Sequence, residues 1–209
     1  MKNQDRLFER GLKLPLVEAF YTLQGEGFHT GKPAYFIRIG GCDVGCSWCD
    51  TKFSWNPDLH PVVEINKILE GALESGAKSV VVTGGEPLLY PLDPLCRLFK
   101  NAGLETFLET SGAHPLSGIW DWICLSPKRS SPPLAEIFPV ANELKMIIQT
   151  STDFLWAEEN ESRVPDRCQL FLQPEWSRRE EILPKIIEYI KNHQDWRISL
   201  QAHKYIHIP

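Results

Sequence analysis

The chain has no apolar run approaching the roughly 20 residues of a membrane span. Its start, Met1-Lys-Asn-Gln-Asp-Arg6, lacks the hydrophobic core of a secretion signal. Nor do its basic residues gather: 22 Lys and Arg are scattered among 27 acidic residues, leaving a formal charge of −5. That excludes a basic groove for nucleic acid and a patch for an anionic membrane surface. Internal repeats and low-complexity linkers are also missing, so residues 1–209 read as one domain. The length falls short of the roughly 250 residues of a closed eightfold β/α barrel. These absences together predict a cytoplasmic protein.

Short apolar runs alternate with amphipathic stretches, the pattern of β-α units feeding a parallel sheet. Strands are expected at Ala34 to Ile39, Ser79 to Thr83, Glu105 to Glu109, Trp122 to Ser126, Glu143 to Ile148, Cys168 to Gln173 and Arg197 to Gln201. A helix is expected over Val62 to Ser75, with Gly76 as its C-cap. A second is expected over Glu180 to His193, where Pro184 must sit in the first turn or kink it. Cys96, Cys124 and Cys168 each stand alone in apolar surroundings and read as buried, inert thiols.

The other three cysteines lie within eight residues, Cys42, Cys46 and Cys49, in the run Gly41-Cys-Asp-Val-Gly-Cys-Ser-Trp-Cys-Asp-Thr51. Three thiolates are one fewer than a closed zinc site or a fully ligated cluster needs. If the metal is a 4Fe-4S cluster, one iron stays open to a small molecule. The competing readings are a zinc knuckle, for which His60 is the next available ligand, or three packed cysteines without metal. A strand running into Gly84-Gly85-Glu86-Pro87 adds a loop where backbone can approach a ligand closely and a carboxylate can answer an ammonium. Further strand ends carry Glu109-Thr110-Ser111-Gly112, Ser126-Pro127-Lys128 and Gln173-Pro174-Glu175. Each is weak alone, since such tripeptides often only end a strand.

The cysteine spacing and the Gly-Gly-Glu-Pro loop resemble the radical S-adenosylmethionine (radical SAM) superfamily. That resemblance implies an α/β fold, a shortened and open TIM-type β/α barrel, with Cys42, Cys46 and Cys49 holding a 4Fe-4S cluster whose free iron chelates S-adenosylmethionine. It further implies that Gly84, Gly85 and Glu86 meet the cofactor's amino group, that Ser111 meets its carboxylate or ribose, and that Ser126, Pro127 and Lys128, with Gln173, line the nucleoside.

The segment Phe20-Tyr-Thr-Leu-Gln-Gly-Glu-Gly27, the run Ala34-Tyr-Phe-Ile-Arg-Ile-Gly-Gly-Cys42 and the tail His203-Lys-Tyr-Ile-His-Ile-Pro209 narrow this further. They are similar to the 7-carboxy-7-deazaguanine synthases of 7-deazapurine (queuosine) biosynthesis. The match runs from about Leu16 onward, with 1–15 as a short N-terminal extension. It implies a pterin held by Leu23, Gln24, Gly25, Glu26, Arg38, Thr83, His203 and the Pro209 carboxylate, and a magnesium ion on Thr51. The implied reaction contracts 6-carboxy-5,6,7,8-tetrahydropterin to 7-carboxy-7-deazaguanine with loss of ammonia. A 5'-deoxyadenosyl radical takes a substrate hydrogen and returns it, regenerating S-adenosylmethionine, and no side chain is needed as nucleophile. A flavodoxin or ferredoxin as electron donor and a homodimer complete the expectation. Read from the residues alone, Gln24-Gly-Glu-Gly27 is also compatible with a plain turn, and Arg38 with a surface residue of a half-buried strand. A glycyl-radical-enzyme activase shares the cysteines and the glycine loop but acts on a protein.

Overall fold

The computed structural model describes residues 8 and 10–209. Most of the expected N-terminal extension, residues 1–7 and 9, lies outside that range. Among the described residues, nine strands form one sheet: β1 (Lys13–Leu23), β2 (Pro33–Ile39), β3 (Val62–Glu64), β4 (Ser79–Gly84), β5 (Glu105–Thr110), β6 (Trp122–Leu125), β7 (Glu143–Ile148), β8 (Gln169–Pro174) and β9 (Trp196–Ile198). Among the described residues, five α-helices accompany them: α1 (Ile65–Glu74), α2 (Asp93–Asn101), α3 (Asp153–Glu161), α4 (Arg179–Asn192) and α5 (Ala202–Ile206). The strand order is β3-β1-β2-β4-β5-β6-β7-β8-β9. From β2 through β9 neighbours in this order are parallel, whereas β1 pairs antiparallel with both β2 and β3. The sheet ends at β3 on one side and β9 on the other, so the barrel is open, as the family resemblance implied.

All seven expected strands are present within a few residues of their predicted ends. Two more were not legible. Strand β1 carries a register shift between Leu16 and Glu18 that breaks its alternation. It also reaches back to Lys13, three residues into the stretch read as an extension, and Leu14 is fully buried there. Strand β3 is only three residues long and takes up the expected start of the first helix. Val62 therefore pairs with Pro15 instead of lying on a helical face, and α1 begins at Ile65. Gly76, with φ of 74°, closes that helix as expected. Helix α4 carries Pro184 in its second turn rather than its first, so the Glu180 carbonyl, on an exposed residue, loses its helical donor.

Each parallel strand sends alternate side chains to opposite faces. Outward, Ile37, Ile39, Val80, Val82, Leu108, Leu125, Leu144, Met146 and Leu172 meet Ile68, Leu95, Phe99, Ile182 and Ile186 of the helices to form the main core. Inward, Ala34, Val81 and Phe107 pack with Phe36 and Trp122 in a smaller cluster. The loop joining β1 to β2 closes against that inner cluster: the His29 ring stacks on Phe107 with centroids 4.5 Å apart, and Phe28 stacks on Trp122 at 4.8 Å. The remaining inward positions, toward the C-terminal ends of the strands, are polar and bound a cavity. Cys96, Cys124 and Cys168 are buried free thiols, each pushed up by burial, Cys96 and Cys168 to about 12. Among the described residues, no helix is long and apolar enough to cross a membrane.

Candidate active site

A cavity of about 430 Å³ opens over the C-terminal ends of the parallel strands, the face where β/α barrels place their chemistry. Every site residue expected from the sequence lines it except Pro127, which is buried. Cys42, Cys46 and Cys49 lie on a loop without regular structure between β2 and β3, all half-buried. Its base is fixed by Gly41 N–H to the Ser54 carbonyl at 2.7 Å and Cys42 N–H to the Trp55 carbonyl at 3.1 Å. The Gly84-Gly85 turn packs directly against it. A Cβ on Gly85 would stand 2.3 Å from the Gly41 carbonyl oxygen and 2.6 Å from the Cys42 Cβ, so only glycine fits.

The donor set fits a cluster with an open iron. Three thiols, unpaired with one another, share one cavity wall, and no His or further Cys lines the wall beside them except His203 from the C-terminal segment. His60, the possible zinc partner, is instead turned away, its Nε2 bonded to the Phe53 carbonyl at 2.9 Å. Burial raises the Cys42 and Cys46 thiols, so metal loading must displace protons. Among the described residues, no group of three or more His, Cys, Asp or Glu side chains is already drawn together as a metal site.

Glu86 is 1 % exposed and its carboxylate is fully engaged. Oε1 accepts from Leu88 N–H at 3.0 Å and the Thr110 hydroxyl at 2.6 Å; Oε2 accepts from Ser111 N–H at 2.8 Å and the Ser111 hydroxyl at 2.5 Å. With about four acceptor sites filled, the side chain joins the glycine turn to the end of β5. Ser126 is likewise committed, donating to the Lys145 carbonyl at 2.9 Å and accepting from Lys128 at 2.7 Å. Lys128, lowered by its burial, also lies over the Trp48 ring with Nζ 5.6 Å from the centroid. The Gln173 oxygen accepts from Ser199 at 2.7 Å.

On the opposite wall, Arg38 points inward with Phe36 while Ile37 and Ile39 are fully buried outward, which removes the surface-strand reading. Its Nε donates to Glu18 at 2.7 Å, and among the described residues its two terminal nitrogens have no protein acceptor. Gln24 is buried and donates to Glu109 at 3.2 Å. Gly25 meets the C-terminal segment: its carbonyl accepts from Ala202 N–H at 2.8 Å, and a Cβ there would stand 2.2 Å from His203 Nδ1. Among the described residues, Thr51 Oγ1 has a single hydrogen-bond contact, 3.5 Å from Cys49 Sγ, on the cavity wall.

The residue that sequence reasoning missed is Lys145. Its Nζ bonds Glu26 and Glu109, each at 2.8 Å. Burial by itself would lower this ammonium, and the carboxylates of Glu109, Glu26 and Glu143 raise it well above the ordinary range. Reciprocally, burial would raise Glu26, but Lys145 and the Gln201 amide hold it down at about 2. The network continues through Gln201 to Asp50, at 3.3 Å, and from Asp50 to Lys204, at 2.7 Å, so the cysteine loop and the C-terminal segment share one hydrogen-bonded frame. The available signal was two charges at alternate positions, Glu143 and Lys145, in a strand whose other face is Leu144, Met146 and Ile148.

Residues 36–125 match the Radical SAM superfamily. The chain is 54% identical over 201 residues to the 7-carboxy-7-deazaguanine synthase of Flavobacterium psychrophilum, covering 96% of this chain and 95% of that protein. It is 49% identical to the synthase of Synechocystis sp., covering 92% of each. The crystal structure of QueE from Escherichia coli superposes with a TM-score of 0.83 at 32% identity, covering 96% of this chain and 99% of that one. Full-length similarity of this order, on a barrel that carries three cysteines and a glycine turn at one cavity, makes the chain a member of the 7-carboxy-7-deazaguanine synthase family within the radical SAM superfamily.

Proposed function

We propose that this chain converts 6-carboxy-5,6,7,8-tetrahydropterin to 7-carboxy-7-deazaguanine with loss of ammonia, in 7-deazapurine (queuosine) biosynthesis. The observation that carries the reading is one cavity that collects the three cysteines, the glycine turn and the Gln24-Gly25-Glu26 loop. The chemistry that a reduced 4Fe-4S cluster and S-adenosylmethionine bring to such a site is reversible removal of a hydrogen atom from the substrate.

The protein's own work is binding, orientation and exclusion of water. Cys42, Cys46 and Cys49 hold the cluster. Backbone at Gly84, Gly85 and Glu86 meets the ammonium end of S-adenosylmethionine, and Ser111, Ser126, Pro127, Lys128 and Gln173 frame the rest of it. Arg38, with its terminal nitrogens free, forks the substrate carboxylate. Glu26, ionised down to about pH 2, accepts from the pterin's amine edge. Gln24 and Gly25 fix its loop, and Leu23, Thr83, His203 and Pro209 complete the enclosure. Trp48, Trp55 and Trp176 on the cavity wall limit the water that reaches a radical. Thr51 would supply one hard oxygen to a magnesium ion, whose charge would stabilise negative charge on the substrate. No side chain acts as a nucleophile.

The exposed Ser47 and Phe53 beside the cysteine loop leave a face for a reductant such as flavodoxin or ferredoxin, and the assembly in this reading is a homodimer. The test is anaerobic turnover of reconstituted, reduced protein with S-adenosylmethionine, magnesium and 6-carboxytetrahydropterin, read by mass spectrometry. Formation of 7-carboxy-7-deazaguanine supports the reading. Cleavage of S-adenosylmethionine without that product moves the substrate elsewhere.

A further inference from the structure

Lys145 stands inside the barrel where the fold gives it no packing task. Strand β7 turns Leu144, Met146 and Ile148 into the helix-covered core, and Lys145 the other way, onto the cavity wall. The side chain is 6 % exposed and bridges Glu26 of the β1–β2 loop and Glu109 of β5. A buried ion network is weak evidence for stability, because apolar residues of similar volume usually stabilise a core as well or better. Its placement therefore calls for a reason at the cavity.

The two carboxylates retain acceptor capacity. Glu26 takes one hydrogen bond on each oxygen, from Lys145 at 2.8 Å and from Gln201 at 2.9 Å. Glu109 takes one on each, from Lys145 at 2.8 Å and from Gln24 at 3.2 Å. With about four acceptor sites per carboxylate, each has about two left for a ligand. Both line the cavity, whereas Glu86, in the same cavity, has none left.

We propose that Lys145 is a positioning residue that locks Glu26 and Glu109 side by side, so that both accept hydrogen bonds from the N–H edge of a flat, nitrogen-rich heterocycle. The inference rests on the pterin reading above and deepens it by giving Glu109 a share of the substrate. Two carboxylates and one ammonium leave one net negative charge. That end of the cavity favours a donor-rich ring edge and repels a carboxylate, which turns the substrate's own carboxylate toward Arg38. Lys145 thus sets the orientation of the ring as well as its affinity.

The test is steady-state kinetics of the reconstituted holoenzyme with 6-carboxytetrahydropterin, comparing wild type, Lys145→Met, Glu109→Gln and the pair Glu109→Gln/Lys145→Met, with the S-adenosylmethionine Kd measured for each. Loss of a charge-assisted hydrogen bond should raise KM for the pterin about tenfold or more in Lys145→Met. kcat at saturation should change less, and the Kd for S-adenosylmethionine should stay within about twofold. The single variant leaves two buried carboxylates unneutralised and is the one at risk of misfolding. The pair keeps the wild-type net charge of this cluster and carries the test in that case: its KM should exceed that of Glu109→Gln by about fivefold or more, because Glu26 has lost its partner. A KM for the pair within about twofold of Glu109→Gln, or an equal loss of S-adenosylmethionine affinity, overturns the proposal. A wild-type enzyme that makes no product from this pterin sinks the functional reading and this inference with it; product formation with an unmoved KM in the pair sinks this inference alone.

Discussion

Ser111 donates both its backbone N–H, at 2.8 Å, and its hydroxyl, at 2.5 Å, to the same carboxylate oxygen of Glu86. Leu88 and Thr110 fill the other oxygen. The glutamate of the glycine turn is thus a fixed internal anchor that ties the turn to the end of β5.

Glu86→Gln should therefore be a stability variant before it is a binding variant. The amide nitrogen must face at least one donor, which leaves buried groups unsatisfied and costs about 3 kcal/mol. Thermal unfolding of the cluster-free protein should fall by roughly 5–10 °C. An unchanged Tm with a weakened S-adenosylmethionine Kd would return the carboxylate itself to the ligand.

Gly25→Ala should separate substrate binding from folding. The added Cβ drives into His203, which must move with the C-terminal segment. Displacing that wall by about an ångström should lower kcat/KM on the order of 100-fold, with a small change in Tm. Paired kinetics and calorimetry check it, and a normal kcat/KM would show that the segment does not close the site.

Glu143 makes stability fall with rising pH. Burial, aided by Glu109 and opposed by Lys145, lifts its carboxyl from 4.5 to about 7, and among the described residues Oε1 has no hydrogen-bond partner. Because the folded state holds this proton more tightly, the stabilisation is complete below pH 4.5 and lost as pH rises through about 7. Urea unfolding of wild type and Glu143→Gln at about pH 5 and about pH 7.5 should give a difference between the two proteins that shifts in favour of the variant at the higher pH. A difference independent of pH would contradict the assignment.

Thr51→Ala should abolish stimulation by magnesium while leaving the cluster's absorption unchanged, since Thr51 supplies a hydroxyl and not a thiolate. Titrating magnesium into chelator-treated variant and wild type measures this. An identical magnesium response would remove Thr51 from the metal.

Much of this architecture was written in local pattern. The parallel strands announce themselves because each is short, apolar and bounded by Gly, Pro or charge. Strand β1 did not, because its register shift and mixed exposure erase the alternation. Helix α2 (Asp93–Asn101) escaped because it is short and carries Pro94 in its first turn, where proline marks a helix start as readily as a turn. In the site, residues next to a motif were found and those defined only by packing were not. Lys145 meets Glu26 across 119 positions of sequence, and nothing local to either residue records the meeting. Glu86 shows the converse: the motif located the residue but could not reveal that its carboxylate was already filled from β5.

The most direct test of the central claim is the ratio of 7-carboxy-7-deazaguanine formed to S-adenosylmethionine consumed in anaerobic turnover of the reduced, reconstituted enzyme. The account, in which the hydrogen taken from the substrate is returned and the cofactor regenerated, predicts product well in excess of S-adenosylmethionine lost. Consumption of S-adenosylmethionine in step with product, or in the absence of product, would contradict it.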